Sequence, residues 1–116
     1  MGSGLSMTSV NKIKELAASR EYSLALEIID SQDLSKSLNP QFIRLCGDVY
    51  IANRRYLDAR RTLIMAHRMA PEAKRVIFSL VDLYLKMGYK DLADFYYSLY
   101  MFDAEPNLPE TNCVKY

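Results

Sequence analysis

Apolar residues recur at intervals of three and four along most of this chain, and short polar or helix-breaking stretches separate the apolar runs. This spacing is typical of amphipathic α-helices that bury one face. It predicts an all-α fold of about six helices, with these approximate bounds: Thr8 to Ser19, Glu21 to Ser31, Pro40 to Ala52, Tyr56 to Met69, Pro71 to Met87 and Lys90 to Phe102.

Capping residues mark several of the predicted boundaries. Thr8 or Ser9 can cap the first helix, since a hydroxyl oxygen accepts a hydrogen bond from an exposed backbone amide. Asn39 followed by Pro40 predicts the start of the third helix, because proline lacks the amide that the first turn leaves unpaired. We expect Pro71 to begin the fifth helix in the same way, and Gly88 to end it in a left-handed conformation.

The helices repeat in pairs with a period of 34 residues. Ala25, Ala59 and Ala93 are one period apart, and so are Tyr50 and Tyr84. A period of this length predicts helical hairpins stacked side by side, with the small residues where two helices approach closely. Three copies fill most of the chain, so we expect antiparallel hairpins stacked as an α-α superhelix.

The composition divides the chain into three parts. Residues 1–7 contain two glycines and two serines and are expected to be a leader. Residues 8–105 form the predicted repeat domain, and Pro106 and Pro109 mark the point where regular structure stops. Residues 106–116 are expected to form a flexible tail.

The repeat resembles the tetratricopeptide repeat, a 34-residue antiparallel helix pair that stacks into a right-handed superhelix. The middle copy carries most of the resemblance, through Ile43, Cys46, Gly47, Tyr50, Tyr56, Ala59, Leu63, Ala66 and Pro71. The last copy keeps Leu80, Tyr84, Gly88, Ala93 and Tyr97, and the first keeps Leu16, Tyr22, Ala25 and Ile29. Isoleucine stands at position 43 where the family usually has tryptophan.

The resemblance implies that the first helix of each pair lines a concave groove that binds a protein segment. The residues of those helices that face away from their partner helix are then the candidate binding surface: Lys14, Gln41, Arg44, Leu45, Asp48, Ile51, Arg75, Phe78, Ser79, Asp82 and Lys86. Some family members hold a peptide's terminal carboxylate here with lysine, arginine and asparagine. Arg75 matches one such position, but Lys14 and Leu45 replace the asparagines, which argues against a carboxylate clamp.

The last helix is the most aromatic part of the chain, and its apolar residues occupy more than one face. Only one face can pack on the preceding helix, so we predict a second interaction surface formed by Phe95, Tyr96, Leu99, Tyr100 and Phe102. A further repeat, the tail, a partner protein or a second copy of the chain could cover it. In the simplest alternative, the tyrosine hydroxyls face water while their rings cover the edge of the core.

The net charge and the available chemical groups argue against several classes of function. The net charge is only +1, and there is no apolar run long enough to span a membrane. Cys46, Cys113 and the single His67 do not make a zinc-ligand pattern, and the sequence has no phosphate loop or nucleophile with a base. We expect a protein that is not an enzyme, uses no metal or cofactor, does not associate with a membrane and acts inside the cell, in the cytoplasm.

The leading hypothesis is a module that binds a peptide or helix of another protein in the groove or on the last helix. Two alternatives stay open. Seven basic residues lie between Arg54 and Arg75, which could contact RNA, although the nearly neutral chain argues against nucleic acid. Five acidic and no basic residues lie between Asp91 and Glu110, so a basic middle and an acidic end could also favour a self-associating structural subunit.

Overall fold

The computed structural model describes residues 6–103, and for Phe102 and Asp103 it describes the backbone alone. Six α-helices make up this part of the chain: α1 (Met7–Ala18), α2 (Tyr22–Asp30), α3 (Pro40–Ala52), α4 (Tyr56–Met69), α5 (Lys74–Met87) and α6 (Lys90–Asp103). A short 3₁₀ segment, Leu34–Lys36, lies between α2 and α3. The predicted all-α class is therefore confirmed. The predicted tail, residues 106–116, lies outside the described residues.

The helices pack as three consecutive hairpins. The hairpin partners are α1 with α2, α3 with α4, and α5 with α6, and the last two pairs share the most extensive contacts. Each hairpin also contacts the next through α2 with α3 and α4 with α5. The first helices contact one another, α1 with α3 and α3 with α5, which places them along one side of the stack. This order confirms the predicted stack of helical hairpins.

The turn inside each hairpin repeats the same backbone geometry every 34 residues. Its central residue is left-handed in all three copies, with φ of 61° at Arg20, 62° at Arg54 and 83° at Gly88. The following amide donates to a carbonyl five residues earlier: Glu21 to Leu16 at 2.8 Å, Arg55 to Tyr50 at 2.9 Å and Tyr89 to Tyr84 at 2.9 Å. This pairing is the Schellman motif of helix ends. Arginine adopts the left-handed geometry twice, which shows that the hairpin packing imposes it.

A substitution at Gly88 can measure what the backbone geometry of this turn contributes to stability, separately from side-chain packing. A Cβ atom built on Gly88 meets nothing within 4 Å, so substitution adds no steric clash. We expect Gly88→Ala to lower the free energy of unfolding by about 1 kcal/mol, because only the left-handed geometry penalises alanine. Chemical denaturation measures the change. Gly88→Asn is the matched control and should lose less, since asparagine tolerates this conformation; equal losses would contradict this account of the turn.

The three periodic alanines all lie in the interior. Ala25 and Ala59 are fully buried and Ala93 is 2% exposed, as the repeat predicts. In the middle hairpin Gly47 supplies the closest approach of α3 to α4, because a Cβ there would lie 2.6 Å from Cγ of Leu63. Small residues at these positions therefore allow the helices of a hairpin to pack closely.

Three predicted helix starts differ from the structure. The second helix begins at Tyr22, one residue after the predicted Glu21. The first helix begins at Met7, one residue early, and Ser6 caps it by accepting a hydrogen bond from the amide of Ser9. The fifth helix begins at Lys74 and not at Pro71, because residues 70–73 form a tight turn that the amide of Ala73 closes onto the carbonyl of Ala70 at 3.0 Å. Proline is favoured at the second position of such a turn.

The helical pattern predicts burial wrongly at a few positions. Leu24 and Leu85 belong to the predicted apolar stripes, but they are 46% and 57% exposed. Leu83 is fully buried although the pattern did not select it, and Leu34 of the 3₁₀ segment is also buried. A helix inside a stack has neighbours on more than one side, so a single stripe does not describe its buried surface.

Polar contacts tie the first hairpin to the second. The side-chain amide of Asn53 donates to the carbonyl of Tyr22 at 3.1 Å. The guanidinium of Arg55 donates to both oxygens of Asp30 at 3.2 and 3.3 Å, and to Asp58 at 2.8 Å. Hydrogen bonds from Arg55 to Asp30, and then to Asp58, raise the pKa of this guanidinium above its ordinary value. These bonds link the two hairpins at one edge of their contact.

Candidate interaction groove

The predicted groove residues lie together along the side of the stack formed by α1, α3 and α5. Three adjoining depressions with volumes of about 460, 180 and 340 Å³ follow one another there, and all three share Asp48. Ten of the eleven predicted residues line these depressions. The exception is Gln41, which accepts a hydrogen bond from Nε of Arg44 at 3.3 Å. We call these joined depressions the groove.

The floor of the groove is apolar and its walls are charged. Val49 is fully buried and Ile51 is 6% exposed, so these apolar residues present little area to solvent, and the neighbouring Ser79 is also buried. The charged lining consists of five basic residues and two acidic ones, which gives the groove a net charge of +3: Lys14, Arg44, Lys74, Arg75 and Lys86 against Asp48 and Asp82. A basic groove on a nearly neutral chain attracts negatively charged segments.

Two of the basic residues are paired inside the groove. Nη1 of Arg44 donates to Asp48 at 2.6 Å, and Nζ of Lys86 donates to Asp82 at 2.8 Å. Lys14, Lys74 and Arg75 form no ion pair with the side chains that the structure describes. The excess positive charge of the groove therefore comes from these three residues, two at one end and Lys14 at the other.

Asp48 lines all three depressions, and its surroundings shift the pKa of its carboxyl. Its partial burial raises the pKa of its carboxyl, and the neighbouring Asp82 adds to this effect. The hydroxyl of Ser79 and the guanidinium of Arg44 act in the opposite direction. When the ionised form of a carboxyl lowers the stability of the fold, the residue is typical of those retained for binding.

The raised pKa of Asp48 predicts a pH dependence with a definite sign. The folded carboxyl keeps its proton to higher pH than the unfolded one, so stability falls as the pH rises between the two pKa values. We expect Asp48→Asn to be at least as stable as the parent at neutral pH, with the difference shrinking as the pH falls through that window. Urea denaturation from neutral to acidic pH measures it.

Asp33 supplies a control of opposite sign. Its hydrogen bonds from Ser35 lower the pKa of its carboxyl, so the ionised form favours the folded state. That contribution is present above the unfolded pKa and is lost as the pH falls through the folded pKa. Asp33→Asn should therefore be less stable than the parent at neutral pH. If both variants shift stability in the same direction, the environment assigned to Asp48 is wrong.

Comparisons with known proteins do not decide the function. No protein-family model, curated protein or solved structure matches this chain.

The aromatic residues of α6 divide between the interior and the surface. Tyr96 stacks on Tyr84 with ring centroids 5.7 Å apart and contacts the ring of His67 edge-on, also at 5.7 Å. Tyr100 lies 5.9 Å from Phe78 and lines the groove. Leu99 is half-buried, and the side chain of Phe102 lies outside the described residues. Among the members of the predicted aromatic surface whose side chains the structure describes, only Phe95 is largely exposed, at 56%.

The groove also contains residues that the sequence analysis did not assign to it. Lys74 and Tyr100 lie at one end, with the ammonium of Lys74 6.0 Å from the centre of the Tyr100 ring. Tyr22 reaches the other end from α2. A rule that takes only the first helix of each pair misses both tyrosines. The carboxylate-clamp residues are also dispersed, since Arg75 lies in a different depression from Lys14 and Leu45.

A larger depression, of about 650 Å³, lies elsewhere and shares no lining residue with the groove. It lies between α4 and the 3₁₀ segment, where Arg60, Arg61 and Arg68 line it together with Tyr50. Arg61 pairs with Asp58. The lining residues of this depression come from α3, α4 and the segment between α2 and α3, whereas the groove takes residues from all three hairpins.

Cys46 lines neither the groove nor the depression beside α4. It is fully buried, and burial raises the pKa of its thiol to about 12. A thiol in this state is a small core residue and a poor nucleophile. Among the residues that the structure describes, no group of histidine, cysteine or carboxylate side chains could hold a metal ion, and no helix has the length and apolar character to cross a bilayer.

Proposed function

We propose that this chain is a tetratricopeptide-like interaction module that binds an acidic segment of another protein in the groove and performs no catalysis. One observation carries the proposal: residues from all three hairpins meet in a continuous groove with an apolar floor and a net charge of +3. An apolar floor supplies affinity by excluding water, and basic walls supply selectivity for negative charge. The cytoplasmic location stays a prediction.

The shape of the groove favours an extended segment over a compact ligand. Three shallow depressions in a row offer separate positions for successive side chains. One is lined by α1, α3 and α5, and the other two lie between α3 and α5. The end with Lys74, Arg75 and Tyr100 presents two positive charges beside two aromatic rings. An acidic segment that carries an apolar or aromatic residue would use both features.

The test uses a displayed library of random peptides, selected on the parent chain. We expect enriched peptides to be acidic and to bind the double variant Lys14→Glu with Arg75→Glu about tenfold more weakly, a change of about 1.4 kcal/mol. Fluorescence polarisation measures both affinities. These two residues suit the test because neither has an ion-pair partner among the described side chains, whereas reversing Arg44 would place a second carboxylate beside Asp48.

The matched control is the double variant Arg60→Glu with Arg68→Glu, which changes the net charge equally at the other depression. It should bind the selected peptides like the parent, apart from a small long-range effect of net charge. Equal weakening by both variants would show nonspecific attraction. Binding of RNA that only the Arg60 and Arg68 variant abolishes would favour the nucleic-acid alternative instead.

A further inference from the structure

The charges along the groove change sign from one depression to the next. Lys14 lines the depression at one end, and Lys74 and Arg75 line the depression at the other. Asp48 and Asp82 line the middle depression, and no basic residue lines it among the residues that the structure describes. The positive charge of the groove therefore lies at its two ends, with two carboxylates between them.

The 34-residue period places three of these charges in one row. Lys14 in α1, Asp48 in α3 and Asp82 in α5 hold the same position of successive hairpins. The three first helices contact one another in order, and all three side chains line one depression. The row therefore changes from a positive to a negative side chain between the first hairpin and the second.

The two central carboxylates can accept further hydrogen bonds. Asp48 accepts one from Arg44 at 2.6 Å and Asp82 accepts one from Lys86 at 2.8 Å, and their side chains are 36% and 42% exposed. An ionised carboxylate offers about four acceptor positions. A hydroxyl, amide or ammonium group of a bound segment could therefore donate here, whereas a carboxylate of that segment would meet like charge.

The dimensions of packed helices set the distance between the basic ends and the centre. Neighbouring helices lie about 8 to 10 Å apart, which separates Lys14 on α1 from Asp48 on α3. Arg75 precedes Asp82 by seven residues on α5, a rise of about 10 Å at about 1.5 Å per residue. An extended segment rises about 3.3 Å per residue. Each step from a basic end to the centre therefore corresponds to about three residues of the bound segment.

We infer that the groove binds an extended protein segment with two acidic residues and, about three positions from each, a central residue that donates hydrogen bonds. One acidic residue faces Lys14 and the other faces Lys74 and Arg75. The central residue donates to the carboxylates of the middle depression. This inference rests on the function proposed above and narrows it, because a uniformly acidic segment would place a carboxylate against Asp48 and Asp82.

The probe is the tightest peptide from the library selection on the parent chain, synthesised with glutamine and then with glutamate at each position in turn. These two side chains have nearly the same shape, so each pair isolates charge and hydrogen-bond donation. We expect one central position, about three residues from an acidic residue on either side, where glutamate binds about tenfold more weakly than glutamine. At the two acidic positions the preference should be reversed. Fluorescence polarisation measures each affinity.

The double variant Asp48→Asn with Asp82→Asn tests which residues cause the central preference. The ratio of the two affinities at that position should fall to about twofold or less, because the new amides can donate to glutamate. Asp94→Asn is the matched control. Asp94 also pairs with a lysine four residues away, Lys90 at 3.5 Å, but it does not line the groove, so the full preference should remain.

The possible outcomes separate this inference from the proposed function. Acidic peptides that tolerate glutamate at every position would overturn the inference and leave the proposed function standing. A central preference that persists in the Asp48 and Asp82 variant, or that Asp94→Asn removes, would also overturn it. A selection that yields no acidic peptide would overturn both.

Discussion

Replacing Leu63 by alanine is expected to lower the free energy of unfolding by about 2 to 5 kcal/mol, one of the largest effects available in this chain. Leu63 is fully buried and fills the space opposite Gly47, so its truncation leaves a cavity between α3 and α4. Urea denaturation measures the loss. Leu57→Ala on the exposed side of the same helix is the control and should change stability little.

Because Gly47 and residue 63 are in contact, Gly47→Ala should change the free energy of unfolding in a direction that depends on which residue stands at position 63. In the parent chain the new Cβ would lie 2.6 Å from Cγ and Cδ2 of Leu63, and overpacking of this kind costs about 1 to 3 kcal/mol. Alanine also favours a helix over glycine by about 1 kcal/mol. In a Leu63→Ala background the clash disappears and the propensity gain remains, so Gly47→Ala should become neutral or stabilising. Additive effects would show that the two residues do not meet.

Replacing Ala59 by leucine is the second large effect, with an expected loss of about 1 to 3 kcal/mol. Ala59 is fully buried where α4 packs in the centre of the stack, so the added side chain must push helices apart. Thermal and urea unfolding both report the loss. Ala93→Leu near the end of the stack should cost less, because helices there have fewer neighbours and can move.

Exposed Ala18 provides the control for this substitution, since leucine at that position meets solvent. An Ala59→Leu chain that melts at the parent temperature would contradict the assignment of this position to the helix interface. If Ala18→Leu destabilised the fold as much as Ala59→Leu, helix propensity and not packing would account for the loss.

The spacing of small residues made the hairpins predictable. Ala25, Ala59 and Ala93 recur because the same close approach recurs, and a contact that needs a small side chain leaves a trace in every copy. The turns were only partly predictable, because a left-handed residue does not always leave a signal in the sequence. A glycine at position 88 predicts a left-handed residue. Arg20 and Arg54 adopt the same geometry without such a signal, because the surrounding packing outweighs their local preference.

The groove was predictable to the extent that it follows from periodicity. Asp48 and Asp82 are one period apart on successive first helices, and the structure places both along the same groove. Tyr100 was assigned to a different surface, because helical periodicity places a residue on a face of its own helix and not against a neighbour. Its contact with Phe78 depends on how α6 crosses α5, which local spacing does not encode.

The pattern of apolar and small residues alone specifies the helices, their pairing and their 34-residue period, since these depend on contacts between residues close in the chain. The arrangement of hairpins around one another specifies which apolar residues are covered. Leu85 and Ile51 look alike in sequence, yet one is 57% exposed and the other 6%. Burial depends on whether another hairpin lies above a residue, and that neighbour is distant in the chain, so only the folded stack separates a core residue from an exposed apolar one.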